Sequence, residues 1–290
     1  MSTTTQKQPA IFLPHGGGPC FFMDWTWGPA ETWKATEGFL QSLAATLPER
    51  PKALLVVSAH WEERAFTVAT TPSPELIYDY SGFPAHTYQL TWPAPGSPTL
   101  AARVAELLGK AGLPIATDAH RGYDHGVFVP LKVAFPEAEI PTVSLSLAVS
   151  SDGSFDPELH LAAGRALAPL RDEGVLIVAS GMSFHNLRAY MRPETVERAR
   201  EFDAWLTATV ESPEPERSRR LAAWSSAPNA RFSHPREEHL IPLLVAAGAG
   251  GDEPGKRIFH DEPMGAALSA YRLGGLAIPT GFPEKQTTRK

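Results

Sequence analysis

Apolar residues along this chain form short continuous runs that alternate with stretches of helical periodicity. The runs of strand length are Ile11–Leu13, Ala53–Ser58, Thr142–Ala148 and Val175–Ser180. Two of them, Ala53–Ser58 and Val175–Ser180, are apolar up to their final serine and rich in β-branched residues. This pattern is typical of strands that are buried on both faces of a sheet.

Between these runs, apolar positions recur every three or four residues, which predicts amphipathic helices. The predicted helices are Thr36–Leu47, Pro98–Ala111, Leu159–Leu170 and Thr195–Val210. Strands that alternate with helices indicate an α/β fold with a central sheet, mostly parallel or mixed, and helices on both faces. The segment Ala266–Gly274 is expected to add an edge or antiparallel strand.

The chain shows no break in composition that would divide it. We therefore predict a single domain over residues 9–282, flanked by disordered polar tails at residues 1–8 and 283–290. The first eight residues lack the apolar core of a secretory signal, so a cytoplasmic location is expected.

Composition excludes several classes of protein. The net charge is −6 and the longest basic block is Arg217–Arg220, so no nucleic acid partner is expected. No apolar run approaches the ~18 residues of a membrane span, so no membrane contact is expected. The single cysteine, Cys20, excludes a disulfide framework and a cysteine-rich zinc site. The oligomeric state stays open, with a homo-oligomer among the alternatives.

Histidines follow three of the predicted strands. His15 comes directly after the first run, His60 closes the second, and His185 lies five residues beyond Val175–Ser180. Ligands of open α/β sheets bind outside the carboxyl ends of the strands, so these side chains are expected to converge on one edge. Neutral imidazole is the commonest metal ligand, and a metal site is the first hypothesis.

Two further histidines have a notable context. His125 lies in the sequence GYDHG at residues 122–126. His239 precedes the apolar stretch LIPLLVAAGAG, in a helix that we expect to begin at a capping Ser233. On spacing alone, two interpretations stand side by side: a well-capped surface helix with incidental histidines, or a His239 in the first turn that binds the metal.

Seven ordered blocks of the sequence resemble a known family. They are HGGGP (15–19), SAHW (58–61), DYSGFP (79–84), YQLTWPAPGSP (88–98), GYDHGVFVPL (122–131), SGMSFHNLR (180–188) and HPREEHLIPLL (234–244). The set is similar to the DODA-type (4,5-DOPA) extradiol dioxygenases. These belong to the class III extradiol superfamily, which also contains the protocatechuate 4,5-dioxygenase β subunit.

The resemblance implies a role for each of these histidines. It implies a metal held by His15, His60 and His239, with His185 as the acid/base or as a fourth ligand, and His125 in the substrate pocket. It implies an enzyme that opens the ring of a catechol-type aromatic diol, DOPA-like or related, with O₂. Since zinc has no redox chemistry, Fe(II) is expected for activity, although Zn(II) can occupy such a site in isolated protein.

This chemistry explains why such residues are needed. The diol and O₂ must both reach one metal, and three protein ligands leave open positions for them. A histidine with an ordinary pKa of about 6.5 can take a phenolic proton near neutral pH and return it. We expect Asn186 to fix the ring of His185, and Asp124 to set the tautomer of His125.

Two departures from the family pattern bear on the substrate. The turn HGGGP is one residue longer than the usual His-Gly-Ser-Pro, and the loop Cys20–Trp33 carries three tryptophans that fit either core packing or a substrate wall. Two other functions stay open: a mononuclear zinc hydrolase, and a non-catalytic, Memo-like binding protein on the same scaffold. The presence of both His125 and His185 favours an enzyme.

Overall fold

A computed structural model describes residues 6–275, and an eight-stranded mixed sheet lies at its centre. The strands are β1 (Ala10–Pro14), β2 (Ala53–Glu63), β3 (Phe66–Ala69), β4 (Ile115–Asp118), β5 (Thr142–Ala148), β6 (Val175–Gly181), β7 (Gly255–Asp261) and β8 (Leu268–Leu273). Their order across the sheet is β4-β3-β5-β2-β6-β1-β8-β7.

The central strands β5, β2, β6 and β1 are parallel, and antiparallel pairs occur toward both edges of the sheet. Strand β3 pairs antiparallel with β5, and β8 pairs antiparallel with both β1 and β7. This arrangement confirms the predicted mixed α/β sheet. The strand expected in Ala266–Gly274 is β8, and it is antiparallel as one alternative had it. It lies inside the sheet, because β7 covers its outer side.

Helices cover both faces of the sheet. They are α1 (Lys34–Ser42), α2 (Pro98–Lys110), α3 (His125–Ala134), α4 (Pro157–Leu167), α5 (Pro169–Asp172), α6 (Pro193–Val210), α7 (Glu216–Ala222), α8 (Ala230–Ser233) and α9 (Ile241–Gly250). Alternate residues of the central strands enter separate cores: Leu55 and Ile177 pack on the side of α2, α4 and α9, whereas Val56 and Val178 pack on the side of α1 and α3. Burial on both faces explains why the central strands read as continuous apolar runs.

The predicted helix that begins at Ser233 is wrong at its start. Ser233 is the last residue of α8, and residues 234–240 form a connecting segment before α9. The backbone N–H groups of Leu240 and Ile241 both donate to the carbonyl of Glu237, which sets the turn into α9. His239 therefore precedes the helix and does not lie in its first turn.

Part of the predicted tails lies within the described residues. Gln8 is fully buried, its N–H donates to the Arg171 carbonyl, and its own carbonyl accepts from the Arg171 side chain. The packed structure therefore includes Gln8. Residues 1–5 and 276–290, which contain the rest of the predicted tails and the end of the predicted domain, lie outside the described residues. Within residues 6–275, no helix is both long and apolar enough to span a bilayer.

His160 is a fully buried histidine on α4. Its Nδ1 donates to the Asp156 carbonyl at 2.7 Å, and its Nε2 accepts from the Ala148 N–H at 3.2 Å. The rings of Phe66 and Phe155 flank it, with centroids 5.2 and 6.0 Å away. Burial lowers the pKa of His160 to about 4, while the Asp156 carbonyl opposes this shift. The folded protein therefore holds this ring neutral.

Mild acid is expected to destabilise the fold through His160. Above about pH 6.5 neither state holds the extra proton, but below it the unfolded chain binds a proton that the folded protein refuses until about pH 4. The free energy of unfolding should fall by roughly 2–3 kcal/mol between pH 7 and pH 4.5 from this group alone. Denaturant titrations of the wild type and of His160→Gln at both pH values measure it. An equal loss in both proteins would contradict the assignment.

Candidate metal centre and active site

Three neighbouring strands carry the first group of histidines to one edge of the sheet. Strand β6 lies between β2 and β1, and all three run parallel. His15 follows β1 directly, and His185 lies in the loop after β6. His60 lies within β2, which continues to Glu63 after a register shift beyond Val57. The expected convergence at the carboxyl ends of the strands is what the fold produces.

Five histidines surround one cavity of about 470 Å³ at this edge: His15, His60, His125, His185 and His239. The Nε2 atoms of His15 and His60 lie 3.1 Å apart. The ring of His239 is 5.2 Å from that of His15 and 4.8 Å from that of His60, measured between centroids. His234, the other histidine of its segment, is buried elsewhere with its Nε2 3.0 Å from the Ser183 carbonyl.

The ring of His15 is oriented by Ser180, the penultimate residue of β6. The Ser180 hydroxyl donates to the Gly126 carbonyl, so its oxygen is left to accept from His15 Nδ1, 3.2 Å away. His15 Nδ1 therefore carries the hydrogen, and the lone pair of Nε2 faces His60. Proteins usually orient a metal-binding imidazole by a hydrogen bond from the ring nitrogen that does not bind the metal.

Glu238 holds two histidines with one oxygen. Its Oε1 lies 2.9 Å from His239 Nδ1 and 3.2 Å from His185 Nδ1, and the two rings stack with centroids 3.4 Å apart. Burial opposes ionisation of Glu238, but the hydrogen bonds from His185 and His239 outweigh it and hold its pKa well below the usual range. An ionised carboxylate only accepts, so both rings keep Nδ1–H and expose the Nε2 lone pair.

Asp79 plays the same part for His125. Its Oδ1 accepts from both the backbone N–H and Nδ1 of His125 at 2.8 Å, and its Oδ2 lies 3.8 Å from His60 Nδ1. Desolvation raises the pKa of Asp79, but the hydrogen bonds from His125 prevail and lower it. Nδ1 of His125 therefore carries a hydrogen, and in the neutral form of the ring Nε2 accepts a hydrogen bond rather than donating one.

The two neighbours expected to orient these rings do not do so. Asp124 accepts from the Ser58 hydroxyl at 2.7 Å and from Arg121 at 2.8 Å, so Asp79 takes its expected place beside His125. Asn186 donates to the Phe232 carbonyl, so Glu238 takes its expected place beside His185. Adjacency in the chain misled both predictions, because Asp124 and Asn186 point away from the rings next to them and bond to other segments.

Burial and mutual repulsion keep the central rings uncharged. Burial first, and then the neighbouring imidazoles, hold the pKa values of His15 and His60 well below the ordinary range. Burial and His185 lower the pKa of His239 to about 4, against the opposing effect of Glu238. A neutral ring with a free lone pair is the form of histidine that binds a divalent metal.

The donor atoms fit a single metal ion. Two nitrogens bound to one ion at about 2.1 Å, with an angle of roughly 90–109° between them, lie about 3.0–3.4 Å apart. The 3.1 Å between His15 Nε2 and His60 Nε2 matches this spacing. Three groups of donors within 4.8 Å occur here: His15–His60–His239, His60–Asp79–His125 and His185–Glu238–His239. Only the first leaves both carboxylates free to orient rings.

The turn HGGGP forms a tight part of the wall of the histidine cavity. Gly16 and Gly18 have φ values of +84° and +56°, which glycine adopts without strain. A Cβ on Gly18 would lie 2.8 Å from the ring of Phe83. Cys20 beyond it is buried, and burial raises the pKa of its thiol, which fits an inert core residue.

The tryptophan loop serves both as core and as cavity wall. Trp25 and Trp33 are buried in a cluster with Cys20 and Met182, whereas Trp27 is half exposed. All three tryptophans line the cavity that holds the histidines. Trp25 and Trp33 therefore belong both to a packed core and to the cavity wall, and contact with a substrate stays a prediction.

Sequence reasoning missed three residues that position this site: Ser180, Asp79 and Glu238. Glu238 is adjacent to His239 in the chain, and Asp79 begins the block DYSGFP, so both were visible as carboxylates beside quoted motifs. Adjacency to His239 was a signal for Glu238, but Asp79 had none for its partner, since it lies 46 positions before His125.

Comparisons with known proteins agree with this geometry. The family model described as the catalytic LigB subunit of aromatic ring-opening dioxygenase matches residues 9–272. The protein named Dioxygenase tasH, from Hapsidospora irregularis, is 37% identical over 94% of this chain and 88% of its own length. The 4,5-DOPA dioxygenase extradiol of Beta vulgaris is 39% identical over 81% of this chain and 87% of its own.

Two comparisons with Escherichia coli K12 extend over nearly the whole chain. Its 4,5-DOPA dioxygenase extradiol is 38% identical over 96% of this chain and 94% of its own length. The crystal structure of an uncharacterized E. coli K12 protein superposes with a TM-score of 0.73 at 34% identity, over 92% of this chain and 100% of that one. These matches favour a dioxygenase over the zinc hydrolase and the Memo-like binding protein. The chain belongs to the family of the catalytic LigB subunit of aromatic ring-opening dioxygenases, and it is a metal-dependent extradiol dioxygenase of the DODA type.

Proposed function

We propose that this enzyme uses Fe(II) held by His15, His60 and His239 to open the ring of a catechol-type diol with O₂. The carbon–carbon bond beside the two hydroxyls breaks and both oxygen atoms enter the product, so no external reductant is needed. The observation that carries this proposal is the set of three imidazoles, two buried and one partly buried, with donor nitrogens within 4.8 Å of one another; the two buried rings each have their other nitrogen fixed by a hydrogen bond.

The ligand set suits the proposed metal. Bound Fe(II) would supply Lewis acidity to the diol and a redox centre for O₂. Three protein ligands would leave further coordination positions of the metal open to small molecules in the cavity. Zinc stands above iron in the affinity order of nitrogen ligands, so isolated protein can carry Zn(II) at the same residues.

His185 is the proposed acid/base. Glu238 fixes its Nδ1–H, so its Nε2 is free to take a proton from a substrate hydroxyl in the cavity. The carboxylate also stabilises the imidazolium that this transfer forms, and it fixes where the ring returns the proton to the product. The stacking of His185 on His239 keeps the base beside a proposed ligand.

His125 is the second proposed catalytic residue. Its Nδ1–H is fixed by Asp79, so its Nε2 accepts a hydrogen bond from a substrate hydroxyl, and it donates only once protonated. His125 and His185 thus form two carboxylate-backed bases on different walls of the cavity.

The substrate class rests on the relatives. Several are named 4,5-DOPA dioxygenase extradiol, so a catechol with a ring substituent is the proposed substrate. A cytoplasmic location is part of the proposal, and the lone cysteine supports it, since proteins of oxidising compartments commonly carry disulfides.

The choice of metal tests the proposed function. We expect anaerobically Fe(II)-loaded protein to consume O₂ in equal amount with a catechol and to form yellow ring-opened product. Zinc-loaded protein should do neither, because zinc cannot cycle electrons. An oxygen electrode and absorbance spectra measure both. Ester or amide hydrolysis by the zinc form, without O₂ uptake by the iron form, would contradict the proposal.

A further inference from the structure

Apart from the five histidines, the wall of the cavity is apolar. The side chains that complete it are Trp25, Trp27, Trp33, Phe83, Met182, Leu187, Tyr190, Met191 and Met264. No Lys, Arg, Asp or Glu within residues 6–275 is among the lining residues. The polar chemistry of the cavity is therefore confined to its histidine end.

The mouth of the cavity is the most hydrophobic part of the described surface. Trp27, Leu187 and Met191 are exposed by 50, 73 and 63%, and no other large hydrophobic side chain in residues 6–275 is exposed. All three line this cavity. Exposed apolar side chains that gather at one opening mark a binding site rather than chance exposure.

The polar atoms of the wall face the protein. Trp25 Nε1 donates to the Trp27 carbonyl at 2.8 Å, and the Tyr190 hydroxyl donates to the Phe184 carbonyl at 3.3 Å. Trp33 Nε1 is buried with no partner among the described residues, and one neutral donor cannot neutralise a carboxylate. The walls beyond the histidines thus provide no countercharge.

The charged groups near the histidines are also committed. Asp79 and Glu238 hold imidazoles, as described above. The arginines that shortly precede His125 and His239 in the chain are paired: Arg121 with Asp124 at 2.8 Å, and Arg236 with Glu62 through two contacts of 2.5–2.6 Å. A charged substituent of a substrate would therefore find no ion-pair partner among the residues that line the cavity.

We propose that the preferred substrate is an uncharged catechol whose ring carries an extended apolar substituent, alkyl or aryl. The diol lies at the histidines, and the substituent runs along Trp25 and Phe83 toward the mouth. This inference rests on the proposed function and narrows it, because DOPA, the substrate in the relatives' names, carries both a carboxylate and an ammonium group.

The size of the preference follows from desolvation. Each methylene buried from water favours binding by about fourfold, so three of them give roughly 60-fold. A carboxylate at the same place must lose its hydration without a partner, which adds to the difference. The mouth is held in place for this contact, since the Met191 N–H donates to the Met264 carbonyl at 2.9 Å.

The test compares catechols of one skeleton that differ in charge. The panel is 4-butylcatechol, 3-(3,4-dihydroxyphenyl)propanoate, its methyl ester, and L-DOPA, each assayed with Fe(II)-loaded enzyme. We expect kcat/KM for butylcatechol to exceed that for the propanoate by at least about 50-fold: about 16-fold comes from the two carbons that replace the carboxylate, and the rest from the carboxylate's lost hydration. The methyl ester should lie close to butylcatechol. Calorimetry without O₂ should give the same order of affinities, independent of turnover.

A charge placed at the mouth gives a matched pair of variants. Met191→Lys adds a cation to the cavity rim and should narrow the butylcatechol-to-propanoate ratio by tenfold or more. Ser225→Lys adds the same charge at an exposed position outside the cavity lining, and it should keep the wild-type ratio.

The outcomes separate this inference from the proposed function. Ring opening of the propanoate or L-DOPA as fast as butylcatechol, with equal affinities, overturns the apolar preference and leaves the dioxygenase intact. No ring opening of any catechol by the iron form overturns the proposed function, and the inference with it. An unchanged ratio in Met191→Lys would show that the substituent does not pass the mouth.

Discussion

Replacement of His15 by Ala is expected to remove most of the bound metal and to reduce ring opening to background. His15 is the central ring of the proposed ligand set, buried, with its Nε2 3.1 Å from that of His60. Alanine offers no lone pair, and two remaining imidazoles do not hold a divalent ion tightly. The measurement is elemental analysis after anaerobic Fe(II) loading and dialysis. His60→Ala and His239→Ala should behave in the same way.

The matched control is His120→Ala, which removes an exposed histidine that does not line the cavity. It should retain the wild-type metal content and activity. Full metal retention in His239→Ala would contradict the assignment of the third ligand. Glu238 and His185 form a second donor group with His239, and they would then be the next candidate ligands to replace.

The second large effect is expected at His185. His185→Ala should keep its metal and its affinity for substrate but lose roughly 10²–10⁴-fold in kcat, the usual contribution of general acid–base catalysis. The reason is geometric: its Nε2 faces the cavity, and its Nδ1 is already bound to Glu238. Measurements of metal content and kcat on the same preparations separate this loss from that in His15→Ala.

Two comparisons make the result specific. His185→Gln keeps a hydrogen-bonding group, but an amide cannot take up and return a proton near neutral pH. It should therefore recover little of the lost kcat. Parallel loss of metal in His185→Ala and His15→Ala would instead show His185 to be a ligand. The proton transfer would then pass to His125, whose Nδ1 is held by Asp79 in the same manner.

The convergence of histidines was predictable because it depends on topology. His15 and His185 follow strands that read as buried and parallel, and parallel neighbours end at one edge. The orientation of His15, His125 and His185 was not predictable, because each ring is held by a side chain from another segment. Asp124 is adjacent to His125 yet bonds to Ser58, whereas Asp79 reaches the ring across a loop without regular structure.

The predicted start of the last helix was wrong, and the sequence did not decide between the two interpretations of the tryptophan loop, for a related reason. Ser233 is a residue type that commonly caps helices, but here it is the last residue of α8, and its buried hydroxyl has no partner among the described residues. Trp25 and Trp27 are two residues apart and equally apolar, yet one is buried and the other half exposed. Sequence alone does not show which side of a loop meets solvent.

The proposed ligands come from the two ends of the chain, since 224 residues separate His15 from His239. An unfolded chain cannot bring these nitrogens together, so the binding free energy of the ion adds to the free energy of unfolding. At a free metal concentration a thousand times the Kd, this linkage contributes about 4 kcal/mol. The ion thus cross-links two distant parts of the folded chain. A newly folded molecule should be most susceptible to proteolysis before it binds its metal.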